Sequence, residues 1–174
     1  MEDEERIKAT FEGIKYMVTV LHIDYHRLVR VYGDSKEVKW LNKVDPRFYG
    51  TAQRRIMGGI LSDISKLCVD PYGLHFERLL KIAKKRGDDI LHLSLSKKLG
   101  RIRIEYGNVL HQFTVQLKGH KKVSQENYPK INEKCKTITF RTRERVDNIL
   151  GRIRSFMNEF EVYYWEEGAG TFMS

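Results

Sequence analysis

Ile7, Phe11, Ile14, Val18, Leu21, Tyr25, Leu28 and Tyr32 recur at alternating steps of four and three. Such a heptad stripe places eight apolar side chains on one side of a helix of about seven turns. Gly33-Asp34-Ser35 ends it. A stripe this narrow packs within a helical bundle or along a dimer seam. Residues 36–44 show no comparable period, and we expect a polar linker there, carrying Trp40 and Leu41 over the end of the bundle. A second helix is announced by Asp45, whose carboxylate can accept first-turn N–H groups, and by Pro46, whose missing N–H costs nothing at the first helical position. Its inward side should be Tyr49, Ala52, Ile56, Gly59, Ile60, Ile64 and Leu67, with a stop near Val69 before Asp70-Pro71. Gly58-Gly59 inside it predicts the close approach of another helix.

A short helix fits residues 74–86, with Phe76, Leu79, Leu80 and Ala83 inward, basic residues in its last turn and Gly87 as a left-handed cap. Asp88 or Asp89 then caps a long segment to Lys118. In it Leu91, Leu95, Leu99, Ile102, Tyr106, Val109, Phe113 and Leu117 keep a three-to-four spacing. The same stretch also alternates with period two around Gly100 and Gly107, so a β-meander is the alternative. The helix is preferred because its stripe runs through both glycines. Residues 118–139 lack a period and predict a mobile basic loop. A last helix from about Thr142 buries Val146, Ile149, Leu150, Ile153, Phe156, Met157 and Phe160, and ends in aromatic residues that close the bundle or meet a second copy. The expected architecture is all-α, an antiparallel bundle of four to five helices in one domain over residues 1–167, with a tail at 168–174.

Charge sharpens this picture. Residues 97–154 hold 15 Lys or Arg against 5 Asp or Glu, whereas the rest of the chain holds 17 against 18. Clustered cations of this kind suit a phosphate backbone, because counterion release rewards them whatever the sequence bound. Lys97, Lys98, Arg101, Lys118, Lys121 and Lys122 are the candidate nucleic-acid contacts, and RNA the expected partner; a solvated basic face is the plainer alternative. No apolar run spans a membrane, the first five residues are acidic rather than a basic leader, and a cytoplasmic protein without membrane contact is expected.

Other chemistries find little support. Cys68 and Cys135 show no zinc or disulfide spacing. His22 and His26 stand four apart without a third ligand, and a di-iron bundle would need paired motifs where only Asp89-Ile90-Leu91-His92 occurs. No metal or cofactor is expected. Phosphate-loop, dinucleotide-binding and nucleophile-elbow motifs are absent.

Phe48-Tyr49-Gly50-Thr51 through Ile64-Ser65-Lys66-Leu67 and Val69-Asp70-Pro71 opens a recognisable order of elements. It continues with Leu74-His75-Phe76-Glu77-Arg78-Leu79-Leu80, a helix bearing a histidine, and Thr137-Ile138-Thr139-Phe140 before the last helix. This order resembles the HEPN superfamily, and within it is most similar to the abortive-infection U family, over residues 45–160. The resemblance implies a bundle that forms homodimers, often in phage-defence or toxin–antitoxin systems with an antitoxin or other protein partner. Active members cut RNA without a metal, using an arginine, usually followed by a polar residue, and a histidine after four to six intervening positions.

His111, in Asn108-Val109-Leu110-His111-Gln112, matches that histidine. The arginine's place falls on Tyr106, Glu105 or Ile104, none of them basic, while Arg103 stands one position too far upstream. Metal-free cleavage needs proton transfer at the 2′-hydroxyl and the leaving oxygen, and a cation for the phosphorane charge. The resemblance therefore implies His111 in the proton roles, paired with a second copy across a dimer. Arg103 or Arg101 would be the cation and Asn108 a polar orienting group. Two outcomes stand open: a metal-independent endoribonuclease, or a degenerate relative that binds RNA or a protein. A structural dimer, with His111 hydrogen-bonded at a helix surface, is the plainest alternative.

Overall fold

The computed structural model describes residues 2–70, 72–120 and 134–165, with side chains at 4–70, 72–110 and 134–165. The order is α1 (Glu2–Tyr32), α2 (Ser35–Val44), α3 (Pro46–Cys68), α4 (Phe76–Lys85), α5 (Asp89–His120) and α6 (Phe140–Trp165). The fold is all-α, and no strand occurs among the described residues. No helix among them is long and apolar enough to cross a membrane.

α1 is the axis. Phe11, Ile14, Val18, Leu21, Tyr25, Leu28 and Tyr32 are all buried, as the heptad spacing predicts. α3, α4 and α6 each pack against it, and α5 closes the bundle against α3, α4 and α6. The two buried tyrosines of α1 keep their hydroxyls satisfied: Tyr25 donates to the Arg143 carbonyl at 3.1 Å and Tyr32 to the Tyr49 carbonyl at 3.1 Å. At the opposite end Phe11 stacks on Phe160 at 5.6 Å and meets the edge of Trp165 at 4.7 Å, so the aromatic terminus of α6 closes the bundle.

Capping follows local chemistry. Asp45 accepts the Phe48 N–H at 3.0 Å with Pro46 behind it, Asp88 accepts the Leu91 N–H at 2.9 Å, and Gly87 takes φ 78° after α4. α6 starts at Phe140, two residues before the expected Thr142, because Thr139 supplies the cap to the Thr142 N–H.

Four expectations are corrected. Residues 36–44 are not a linker but most of α2: Asp34 caps it through the Lys36 N–H at 2.6 Å, and Val38 and Leu41, one turn apart, dock it. The bundle thus has six helices among the described residues rather than four or five. The preferred helix holds here: α5 runs unbroken through Gly100 and Gly107, and the alternative β-meander does not form. Burial explains why: Leu91, Leu95, Leu99, Ile102, Tyr106 and Val109 are interior, while the alternating positions Leu93 and Ile104 face outward. Gly58 and Gly59 receive no neighbouring helix, for a Cβ at either would meet nothing within 4 Å. The expected mobile loop is divided: residues 118–120 continue α5, 121–133 lie outside the described residues together with the expected tail at 168–174, and 134–139 is pinned. Asn42 brackets the Cys135 peptide, donating to its carbonyl and accepting its N–H, both at 2.9 Å. Gln53 brackets Lys136 in the same way, and the Ile138 N–H reaches the Tyr32 carbonyl at 2.9 Å.

The glycines give opposite expectations. Gly58→Ala and Gly59→Ala, at open helical positions, should each stabilise the protein by about 0.5–1 kcal/mol in urea unfolding. Gly33→Ala should cost about 1–3 kcal/mol, because its Cβ would collide with the Val29 carbonyl and the Arg143 guanidinium.

Candidate nucleic-acid interface

α5 carries the sequence-predicted cations, and its neighbours decide which remain available. Lys97 and Arg101 are exposed and make no ion pair with any described residue. Lys98 is tied to α6 through the Ser155 hydroxyl at 2.9 Å and the Glu159 carboxylate. Arg103 turns inward: its Nε donates to the Cys68 carbonyl at 2.6 Å and its guanidinium pairs with Glu77 at 2.8 Å. It therefore clamps α5 to the last turn of α3 and the first of α4. Glu105 binds Arg152 of α6 at 2.7 Å. Asn108 is exposed on the next turn. His111 and Lys118 have their backbone in α5 and their side chains outside the described ones. Lys121 and Lys122 lie outside the described residues altogether. No contact joins Arg103 to Asn108, and the two leave α5 in different surroundings.

Beside Lys98 runs a groove of about 590 Å³, lined also by Gly151, Arg154, Ser155, Asn158, Glu159, Val162 and Tyr163. Arg154 and Asn158 were not among the expected contacts. The signal existed, since Gly151, Arg154, Asn158 and Val162 recur at three-to-four spacing along α6, but it was hidden beside the stronger apolar stripe of the same helix. Arg154 also acts at a distance on His22 of α1. Burial holds the His22 imidazole below its ordinary pKa, and the charges of Arg154 and His26 lower it further, against a hydrogen bond to the Val18 carbonyl at 2.8 Å. A neutral His22 that donates from Nδ1 leaves Nε2 buried without a partner.

No group of three His, Cys, Asp or Glu side chains disposed to hold a metal occurs among the described residues, so His22 and His26 gain no third ligand there. The two thiols are poor nucleophiles. Burial pushes Cys68 up to about 12 and raises Cys135 as well, keeping both protonated.

Comparison with protein-family models, with curated proteins and with solved structures gives no match.

Two outcomes test the electrostatics. His75 is buried, and burial, followed by the Arg78 charge, lowers its pKa as it does for His22. Both imidazoles bind protons more weakly in the folded chain than in the unfolded one. The stability they contribute is complete above about pH 6.5 and is lost as the pH falls through their folded values. The urea midpoint should thus drop between pH 7 and pH 5, and His22→Gln should remove part of that drop. Separately, Arg103→Ala should destabilise by about 1–2 kcal/mol. Most of this comes from the Cys68 carbonyl, because the half-exposed Glu77 pair contributes less than about 1 kcal/mol. Lys97→Ala and Arg101→Ala should stay within about 0.5 kcal/mol of wild type.

Proposed function

We propose that the chain is an RNA-binding bundle of HEPN type, in the phage-defence or toxin class, with a degenerate nuclease motif. The observation that carries this is the engagement of Arg103. A transition-state cation must be free to hold charge that develops on phosphorus. Arg103 is instead committed to Glu77 and the Cys68 carbonyl, and Glu105 occupies the nearer position with a negative charge already balanced by Arg152. Withdrawing Arg103 towards a phosphate would leave a carboxylate and a carbonyl without their donor, at a cost comparable to what the phosphate contact returns. RNA binding itself rests on the cation excess of residues 97–154, and a cytoplasmic location is proposed with it.

One observation favours a second possibility, an active metal-independent endoribonuclease formed by a homodimer. Ile90, Leu93, Lys97, Gly100, Ile104 and Gly107 form another stripe at alternating three and four spacing, and His111 continues it. Ile90 and Ile104 are 77% and 67% exposed. A second copy laid along this side of α5 would cover them and bring two His111 positions towards one seam. The same stripe would also serve an antitoxin or other protein partner, which is the non-nucleic-acid alternative.

Incubation with total cellular RNA in EDTA at low salt separates these outcomes. The degenerate binder should leave the RNA intact and retain it in a salt-sensitive complex. Cleavage by the wild type that His111→Ala abolishes would replace this reading with the active enzyme. Absence of both cleavage and binding would leave the protein-interaction role.

A further inference from the structure

A second concentration of positive charge lies away from α5. Residues 36–55 hold six Lys or Arg against two acidic residues, and residues 134–145 hold five against one. The contacts of segment 134–139 bring these stretches together. Asn42 of α2 holds the Cys135 peptide, Gln53 of α3 holds Lys136, and the Tyr32 carbonyl at the end of α1 receives the Ile138 N–H. Cys135 and Ile138 are buried by this arrangement, while Lys134 and Lys136 remain exposed. Lys43, beside Asn42, and Arg54, beside Gln53, are exposed too. None of these four cations forms an ion pair with a described residue; the one polar contact, from Arg54 to the Thr51 hydroxyl at 3.3 Å, leaves its charge unbalanced. Asp45 caps α3 and forms no ion pair with any of these four cations.

Two large rings stand exposed at the same junction. Phe140, two residues beyond Ile138, is 80% exposed, and Phe48 is 62% exposed. Phe48 meets Tyr49 edge-on at 5.1 Å, and the Tyr49 carbonyl is the one that accepts the Tyr32 hydroxyl. Neither ring contributes to the core, so hydrophobic packing does not account for them. Rings interleaved with unpaired cations are what an unpaired nucleotide strand requires: each base offers a face to stack and each linkage a charge to neutralise. A duplex hides its base faces. An interfacial lipid anchor would call for a continuous apolar face, whereas exposed Lys43, Arg54, Lys134 and Lys136 lie at this junction with the rings.

We propose that the junction of α2, α3 and segment 134–140 is a binding surface for single-stranded RNA, with Phe48 and Phe140 stacking on bases and Lys134 and Lys136 meeting phosphates. This rests on the reading of the chain as an RNA binder, and names both the form of RNA and the surface. The amide grips of Asn42 and Gln53 make the surface rigid before binding, so the two lysines need little ordering when a strand arrives.

The test uses the full chain with a labelled oligouridylate of about a dozen nucleotides, and an RNA duplex of equal length, titrated at several salt concentrations. The single strand should bind more tightly than the duplex. Phe48→Ala with Phe140→Ala should weaken it roughly tenfold or more while leaving the salt slope unchanged. Lys134→Gln with Lys136→Gln should reduce that slope by about 1.4. Should the double ring variant melt early, Phe140→Ala alone, at the more exposed position, carries the same expectation. Wild-type affinity in the ring variants, or preference for the duplex, would overturn the proposal. Loss of binding in Lys97→Gln with Arg101→Gln but not in the ring or Lys134/Lys136 variants would overturn this surface and keep the RNA reading. No RNA binding by the wild type, with or without capture by phosphatidylserine vesicles, would end both.

Discussion

The end of α1 is where the architecture is tied. Tyr32 is buried, its hydroxyl fastens the first turn of α3 through the Tyr49 carbonyl, and its own carbonyl receives Ile138. The next residue, Gly33, gives its carbonyl to Arg143 of α6. A helix C-terminus ordinarily leaves its last carbonyls to water or to a cap. Here the Tyr32 carbonyl holds the segment that leads into α6 and the Gly33 carbonyl, just past the helix end, holds α6 itself, so the register of the last helix against the first is fixed by backbone acceptors as well as by apolar fit. Gly33 is the residue type this permits, because a side chain there would occupy the space of the Arg143 guanidinium.

That tie also explains the distribution of usable charge. Where helices pack lengthwise, as α5 does on α3, α4 and α6, a cation at the margin finds an acid or a carbonyl on its neighbour: Lys98 finds Glu159, Arg103 finds Glu77 and Cys68, and Arg152 finds Glu105. Such pairs add little stability at half-exposed positions, but they decide which groups face solvent unbalanced. At the α2–α3 end the chain crosses the bundle in an irregular segment whose polar needs are met by amides, Asn42 and Gln53, rather than by carboxylates. Its lysines therefore keep their charge unbalanced. Net charge along the sequence and available charge on the surface are different quantities, and here they favour different places.

Periodicity exposed most of the fold because long amphipathic helices repeat their signal many times. The stripes of α1 and α6 and the caps at Asp45 and Gly87 were all legible. α2 was not, since ten residues with two interior anchors, Val38 and Leu41, give a single turn's worth of pattern, and Trp40 points outward. Gly58-Gly59 misled for a different reason: a glycine pair is equally compatible with close packing and with open solvent, and only the neighbours distinguish them. The candidate site was less legible still. Composition along the chain located the basic half, but ion pairing is a property of side chains far apart in sequence, such as Glu77 with Arg103. The grips of Asn42 on Cys135 and of Gln53 on Lys136 join residues more than eighty positions apart, and no local spacing announces them.

The pairing of Glu105 with Arg152 is part of a wider set of contacts that fixes α5 against its neighbours. An arginine at position 105 would set its charge against Arg152 and leave both at a helix interface without a counterion. Arg103 would remain held by Glu77 and the Cys68 carbonyl. The engagement of Arg103 and Glu105 is thus built into three helices rather than one residue, since α4 supplies Glu77, α3 the Cys68 carbonyl and α6 Arg152. A phosphate approaching α5 would meet Lys97 and Arg101 on an otherwise balanced face, whereas one approaching the end of the bundle would meet cations with no acid to release. If RNA is held at that end, the strand is gripped by the part of the molecule whose geometry is most firmly set, and α5 is left to whatever covers its outward stripe.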